Sequence, residues 1–164
     1  MKIETNLLGL AGEYRVCSEL IKRGLLAMLT YGNRKSADIY VIPHRRRAAL
    51  RIEVKTSQNG RFVTRINQKK GLNRKNDVPD FKNDVPDFWV LFHCKCKGDN
   101  KYEEAFFILP HERIWNIQKR VNRDYERRFR KKHGCPPNEE KGVDNVRIKH
   151  VKEYKNRWEL ILRA

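Results

Sequence analysis

The sequence predicts a single α/β domain, and three observations carry that reading. Apolar residues recur at helical spacing over residues 7–23, and an Asp-led apolar run at 39–42 is followed by a strictly alternating strand at 50–55. A second helical stripe fills 112–132. At 164 residues the chain forms one domain, 1–164, long enough for a real core. A mean hydropathy of −0.83 with 35% charged residues makes that core modest and its surface heavily decorated.

The first helix is expected over Leu7 to Arg23, with Asn6 or Thr5 as N-cap, Lys22 and Arg23 in the last turn and Gly24 ending it. Leu7, Leu10, Tyr14, Cys17 and Ile21 form the stripe expected to face the core. Glu13 falls three residues after Leu10 and four before Cys17, so it flanks that face. A carboxylate there needs an arginine, hydrogen-bond donors, or other carboxylates held together by a cation. Asp38 opens the strand Ile39-Tyr40-Val41-Ile42, and Pro43-His44-Arg45-Arg46-Arg47 reads as a hairpin turn. In the strand after it, Leu50, Ile52 and Val54 alternate with Arg51, Glu53 and Lys55. The apolar set enters the core, and Glu53 and Lys55 stand side by side on the other face. Pairing of the two strands brings Asp38 near Glu53. Further strands are expected at Phe88 to Cys94, at Ala105 to Leu109 and near Trp158 to Leu162, where they extend or brace the sheet.

A Glu-x-Lys pattern means little in a chain this rich in both residues, and Glu139-Glu140-Lys141 and Glu153-Tyr154-Lys155 repeat it without the same surroundings. Only Glu53-Val54-Lys55 follows a helix with an embedded glutamate and an Asp-led strand. That order, Gly12-Glu13, then Ser36-Ala37-Asp38-Ile39, then Ile52-Glu53-Val54-Lys55, resembles the PD-(D/E)xK nuclease superfamily. The similarity is strongest to its compact branch of archaeal-type Holliday junction resolvases and small intron homing endonucleases. It covers roughly residues 6–56 and extends more weakly to about 110. Ala37 stands where the motif's proline would be, a position that varies within the family.

The resemblance implies a restriction-endonuclease-like αβββαβ core with a mixed central sheet over about 6–110, followed by an added basic helix and C-terminal strand over about 111–164. It implies Glu13, Asp38 and Glu53 as ligands of Mg²⁺, with Mn²⁺ as a substitute, Lys55 as the catalytic lysine, and a possible homodimer. Gln68 resembles a glutamine that some members carry after the motif, and serves equally well as a surface residue of a basic segment. The chemistry is coherent. A hard dication prefers oxygen ligands, acidifies bound water and neutralises charge on the phosphorane, while a lysine orients or deprotonates the water or stabilises the developing anion.

Charge points independently to a polyanionic partner. Lys and Arg number 37 against 20 Asp and Glu, a formal charge of +17. From Val54 to Asn76 there are seven basic residues and no acidic one. Arg45, Arg46, Arg47, Arg61, Arg65, Lys69, Lys70, Arg74 and Lys75 are the candidate contacts to DNA phosphates around the site. Glu112 to Lys132 forms an amphipathic basic helix with Ile114, Ile117, Val121, Tyr125 and Phe129 as its stripe, suited to docking on a core and to phosphate tracking or subunit contact. No secretory signal or membrane-spanning run accompanies it, so a cytoplasmic protein without a membrane partner is expected.

Two features stand apart. Asn76-Asp77-Val78-Pro79-Asp80-Phe81 recurs verbatim as Asn83 to Phe88, a local duplication in a turn rather than a solenoid. His93, Cys94 and Cys96, with His133 and Cys135, have ligand types that suit zinc, but at spacings that are poor evidence for it. The expected activity is Mg²⁺-dependent hydrolysis of phosphodiester bonds in double-stranded DNA, linear or branched, structure-selective like a junction resolvase or site-specific like a homing or restriction enzyme. The alternative is a noncatalytic nucleic-acid-binding module on the same fold.

Overall fold

Phe88-Trp89-Val90-Leu91-Phe92 has no charged side chain, and only a strand covered on both faces hides all five. The computed structural model, which describes residues 4–30, 37–43, 48–66, 85–99, 101–137 and 143–164, places this run inside a five-stranded sheet. In chain order the elements are helix α1 (Thr5–Lys22), strands β1 (Leu26–Leu29), β2 (Ile39–Ile42), β3 (Leu50–Ser57), β4 (Arg61–Val63), β5 (Phe88–Cys96) and β6 (Tyr102–Pro110), helix α2 (His111–His133), strand β7 (Asn145–Arg147), and short helices α3 (Ile148–Val151) and α4 (Glu159–Leu162). The sheet order is β1-β2-β3-β5-β6. β3 and β5 run parallel and the other neighbours antiparallel, so the sheet is mixed as expected. β4 and β7 form a separate antiparallel ribbon.

The alternation of β5 sorts the core into two layers. Phe88, Val90 and Phe92 join Val16 and Leu20 of α1, Ile39 and Val41 of β2, and Ile52 and Val54 of β3 on one face. Trp89 and Leu91 join Ile114, Ile117 and Val121 of α2, with Phe62 and Val146 of the ribbon, on the other. Leu20, Ile52, Leu91 and Ile114 are fully buried, each contributing about 1.5–3 kcal/mol relative to exposure. α2 ends as its sequence dictates, with Gly134 at φ 71° donating to the Arg130 carbonyl and four basic residues against the negative helix end.

Three local expectations are corrected. Leu7, Leu10, Tyr14 and Ile21 are exposed, and α1 instead buries Gly12, Val16, Cys17 and Leu20. A count of large apolar residues missed this face because its decisive contact is made by a residue with no side chain. The helix begins at Thr5 with Glu4 as N-cap, and no side chain caps it. Residues 158–162 are helical rather than extended: Trp158 and Ile161, three apart, are the buried pair, whereas a strand would have aligned Trp158, Leu160 and Leu162.

Gly12 lies so close to β3 that a Cβ would stand 1.8 Å from Thr56 Oγ1 and 3.0 Å from Thr56 Cβ. In an open helix Gly→Ala gains up to about 1 kcal/mol. Here Gly12→Ala is expected to destabilise by about 1–3 kcal/mol through overpacking, with partial recovery in Gly12→Ala/Thr56→Ala, read by denaturant titration of the four proteins. A stabilised single variant would contradict the close approach.

Candidate active site

β2 stops pairing with β3 at Ile39–Ile52, but β3 runs on to Ser57. Beyond that point its edge would expose backbone donors. Asp38 takes over there: its N–H donates to the Ile52 carbonyl at 2.9 Å and its Oδ2 accepts the Val54 N–H at 2.7 Å. Thr30, just past β1, fixes the same residue. Its N–H donates to the Asp38 carbonyl at 3.0 Å and its hydroxyl to the Ala37 carbonyl at 2.8 Å. The Asp38 carboxylate is thereby held in the fork between two diverging strands. Asp87 does the equivalent job on the opposite edge of β3, its Oδ2 accepting the Arg51 N–H at 2.7 Å. That gives the second copy of the duplicated hexapeptide a structural role.

Glu53 and Lys55 stand together on the α2 side of β3, as their alternation requires. The Lys55 ammonium hydrogen-bonds and ion-pairs with the Glu53 carboxylate, and lies 5.9 Å from the centre of the Trp89 ring. Glu13 arrives from the other face: the contact of Gly12 with Thr56 draws this stretch of α1 onto the far end of β3, next to the fork. Burial is the main cause lifting the Glu13 carboxyl above its ordinary value, with the Asp38 and Glu53 carboxylates adding and Lys55 opposing. Burial likewise lifts Glu53, against the pull of Lys55 and with the push of Asp38. The four predicted residues therefore sense one another electrostatically.

Three carboxylates and one ammonium leave a net charge of −2, which a dication would cancel. The donor set is all hard oxygen, partly buried and mutually repelling, and suits Mg²⁺ or Mn²⁺ rather than zinc. Among the described residues no three His, Cys, Asp or Glu side chains are gathered tightly enough to hold a metal as they stand, so the acids are neighbours rather than a closed cage. The same finding applies to His93, Cys94, Cys96, His133 and Cys135. His93 is instead hydrogen-bonded at 2.9 Å to the Ser57 carbonyl, and His133 packs on Phe129.

No protein-family model matches the chain, and no curated protein matches it. Among solved structures it is similar to one titled as that of a bacterial homing endonuclease, I-Ssp6803I, with a TM-score of 0.58 and 18% identity over 98% of this chain and 95% of that one. The chain has that protein's fold. What the likeness shows is the fold, an α/β architecture with a mixed central sheet and C-terminal helices.

The remaining candidates divide simply. Arg61 and Arg65 are exposed at the ribbon end of β4, Arg65 at φ 54° with its N–H on the Asp144 carbonyl. Gln68, Arg45, Arg46, Arg47, Lys69, Lys70, Arg74 and Lys75 lie outside the described residues, as does the first copy of the hexapeptide. No helix among the described residues is long and apolar enough to cross a membrane. Thr30 and Asp87 escaped sequence reading. Thr30 follows β1, whose exposed Leu26 and Met28 spoil any apolar-polar alternation, and Asp87 was hidden in a repeat that reads as a turn.

Proposed function

We propose that this protein is a Mg²⁺-dependent DNA endonuclease that hydrolyses phosphodiester bonds site-specifically. The observation that carries the reading is the convergence of Glu13, Asp38, Glu53 and Lys55 on the fork beside β3. An acid cluster of this kind repels DNA phosphates and is of no use to a protein that only binds them. Asp38, Glu53 and Glu13 would hold the metal, which when bound supplies positive charge for the scissile phosphate and a more acidic water. Lys55, held against Glu53 and Trp89, orients the attacking water and stabilises charge developing on the phosphate oxygens. Asp38 is held in place by its bond from the Val54 N–H. The basic surface brings DNA in, and affinity that falls steeply with salt is its signature. Site-specific cutting is preferred over junction selectivity because the structural neighbour is titled a homing endonuclease.

The test has two readouts. Supercoiled, linear and branched DNA incubated with the full chain and Mg²⁺ should be cut, the unbranched substrates at discrete positions; preference for the branched one would favour junction selectivity instead. Independently of activity, Mg²⁺ at about a hundred times its Kd should stabilise the protein by about 2.7 kcal/mol, or roughly 5–10 °C in Tm for a chain of this size. Glu53→Gln should lose most of that shift. No cleavage and no shift together would leave the noncatalytic module as the better reading.

A further inference from the structure

On the antiparallel ribbon, Arg61 of β4 sits directly opposite Arg147 of β7. Like charges facing each other across a strand pair are destabilising, and among the described residues neither arginine has a carboxylate partner. The pair is nevertheless firmly held. Phe62 and Val146, the next cross-strand pair, are fully buried, and Gly60, at φ 72°, packs so tightly on Ile148 that a Cβ would meet Ile148 Cδ1 at 2.7 Å. Behind the ribbon, the Thr64 hydroxyl donates to Gln118 Oε1 at 2.8 Å and the Gln118 amide to the Val143 carbonyl, tying it to α2.

Between ribbon and helix runs a groove of about 580 Å³, into which Arg61, Arg147, Lys149, Arg127 and Arg128 project against a single carboxylate, Asp124. Asp124 is already engaged by Arg127 at 2.9 Å. His150, in the same groove, accepts the Arg147 N–H at 3.2 Å, and burial together with Lys149, Arg120 and Arg147 holds its imidazole below its ordinary value. Five cations on a rigid frame with one spoken-for acid form a site that lacks its counter-charge. The ribbon packs on the same face of the sheet as Glu53 and Lys55.

We infer that this groove is a cradle for the phosphate backbone of duplex DNA, with Arg61 and Arg147 as a paired phosphate clamp and Lys149, Arg127 and Arg128 following the strand away from it. The inference rests on DNA being the partner in the proposed function, and extends it to a second surface, built by the ribbon and α2. Duplex DNA is favoured over an acidic polypeptide because its charges repeat at fixed short spacing along a stiff rod, matching a row of cations carried by the ribbon, α3 and α2.

The experiment measures binding of the full chain to a random-sequence duplex by fluorescence anisotropy in EDTA, across a salt series. Each of Arg61→Ala and Arg147→Ala should lower the slope of log affinity against log salt by about one unit, and the double variant by about two. The variant Lys95→Ala/Lys101→Ala, beside the turn between β5 and β6 and outside the groove, should leave the slope within half a unit of wild type. The double variant should melt no lower than wild type, because a repelling pair has been removed. An unchanged slope in the double variant overturns the inference. So does polyglutamate that displaces the duplex from wild type at equal charge concentration and loses its grip in the double variant, since the groove is then a peptide site. The Mg²⁺-induced rise in Tm and its loss in Glu53→Gln keep the two proposals apart: that rise with an unchanged slope sinks only the cradle, and a reduced slope with neither the rise nor any cleavage supports the cradle while sinking the nuclease.

Discussion

Lys55→Ala is expected to cut DNA at least ~100-fold more slowly while binding it almost as tightly as wild type. The ammonium is one positive charge among 37 Lys and Arg, so its share of the attraction for DNA is small. Its position is special, because it is paired with Glu53 at the end of β3 where the acids converge. Loss of an interaction made chiefly in the transition state lowers kcat without raising KM, and removal of one such group typically costs ~100- to ~1000-fold, about 2.7–4 kcal/mol. Lys55 also pulls the Glu53 carboxyl down against the lift that burial gives it, and that role can be separated by titrating Mg²⁺. Full recovery of kcat in Lys55→Ala at high Mg²⁺ would reduce the lysine to a charge partner of Glu53. A persistent deficit at saturation is the expected result.

Legibility in the sequence followed the kind of physics each element depends on. β2, β3 and α2 were visible because alternation or helical spacing of large apolar residues is written directly in the chain, and their observed bounds differ from the expected ones by at most two residues. The side-by-side placement of Glu53 and Lys55 follows from the same period of two. The buried face of α1 was illegible because it is decided by the missing side chain of Gly12 and by Thr56 three elements later, a contact no local period encodes. The ribbon was missed for a related reason. β4 and β7 are three residues each, and a strand that short is specified by its partner 80-odd positions away rather than by its own composition. Glu13 was placed correctly beside the buried face although the face itself was assigned to the wrong residues, because Cys17 belongs to both the expected stripe and the real one.

Asp38→Asn is expected to abolish Mg²⁺-dependent cleavage yet bind DNA without metal at least as tightly as wild type, and it is a cleaner test than Asp38→Ala. The Asp38 carboxylate has two tasks. Oδ2 accepts the Val54 N–H in the fork, and the charge contributes to the acid cluster. Alanine removes both, leaving a buried backbone donor unpaired at a cost of about 1–3 kcal/mol, so any loss of cleavage would be mixed with loss of fold. Asparagine retains an acceptor oxygen for Val54 and deletes only the charge. Near a phosphate about 8 Å away, one fewer negative charge relieves roughly 0.5–2 kcal/mol between effective dielectrics of about 80 and 20, or roughly 2- to 30-fold in affinity. Anisotropy with a duplex in EDTA reads that gain, and a denaturant titration should rank stability as Asp38→Asn above Asp38→Ala. Weaker metal-free binding by a stable Asp38→Asn protein would mean that the Asp38 charge does not face DNA phosphate. Mg²⁺-dependent cutting by that protein at the wild-type rate would remove Asp38 from the site altogether.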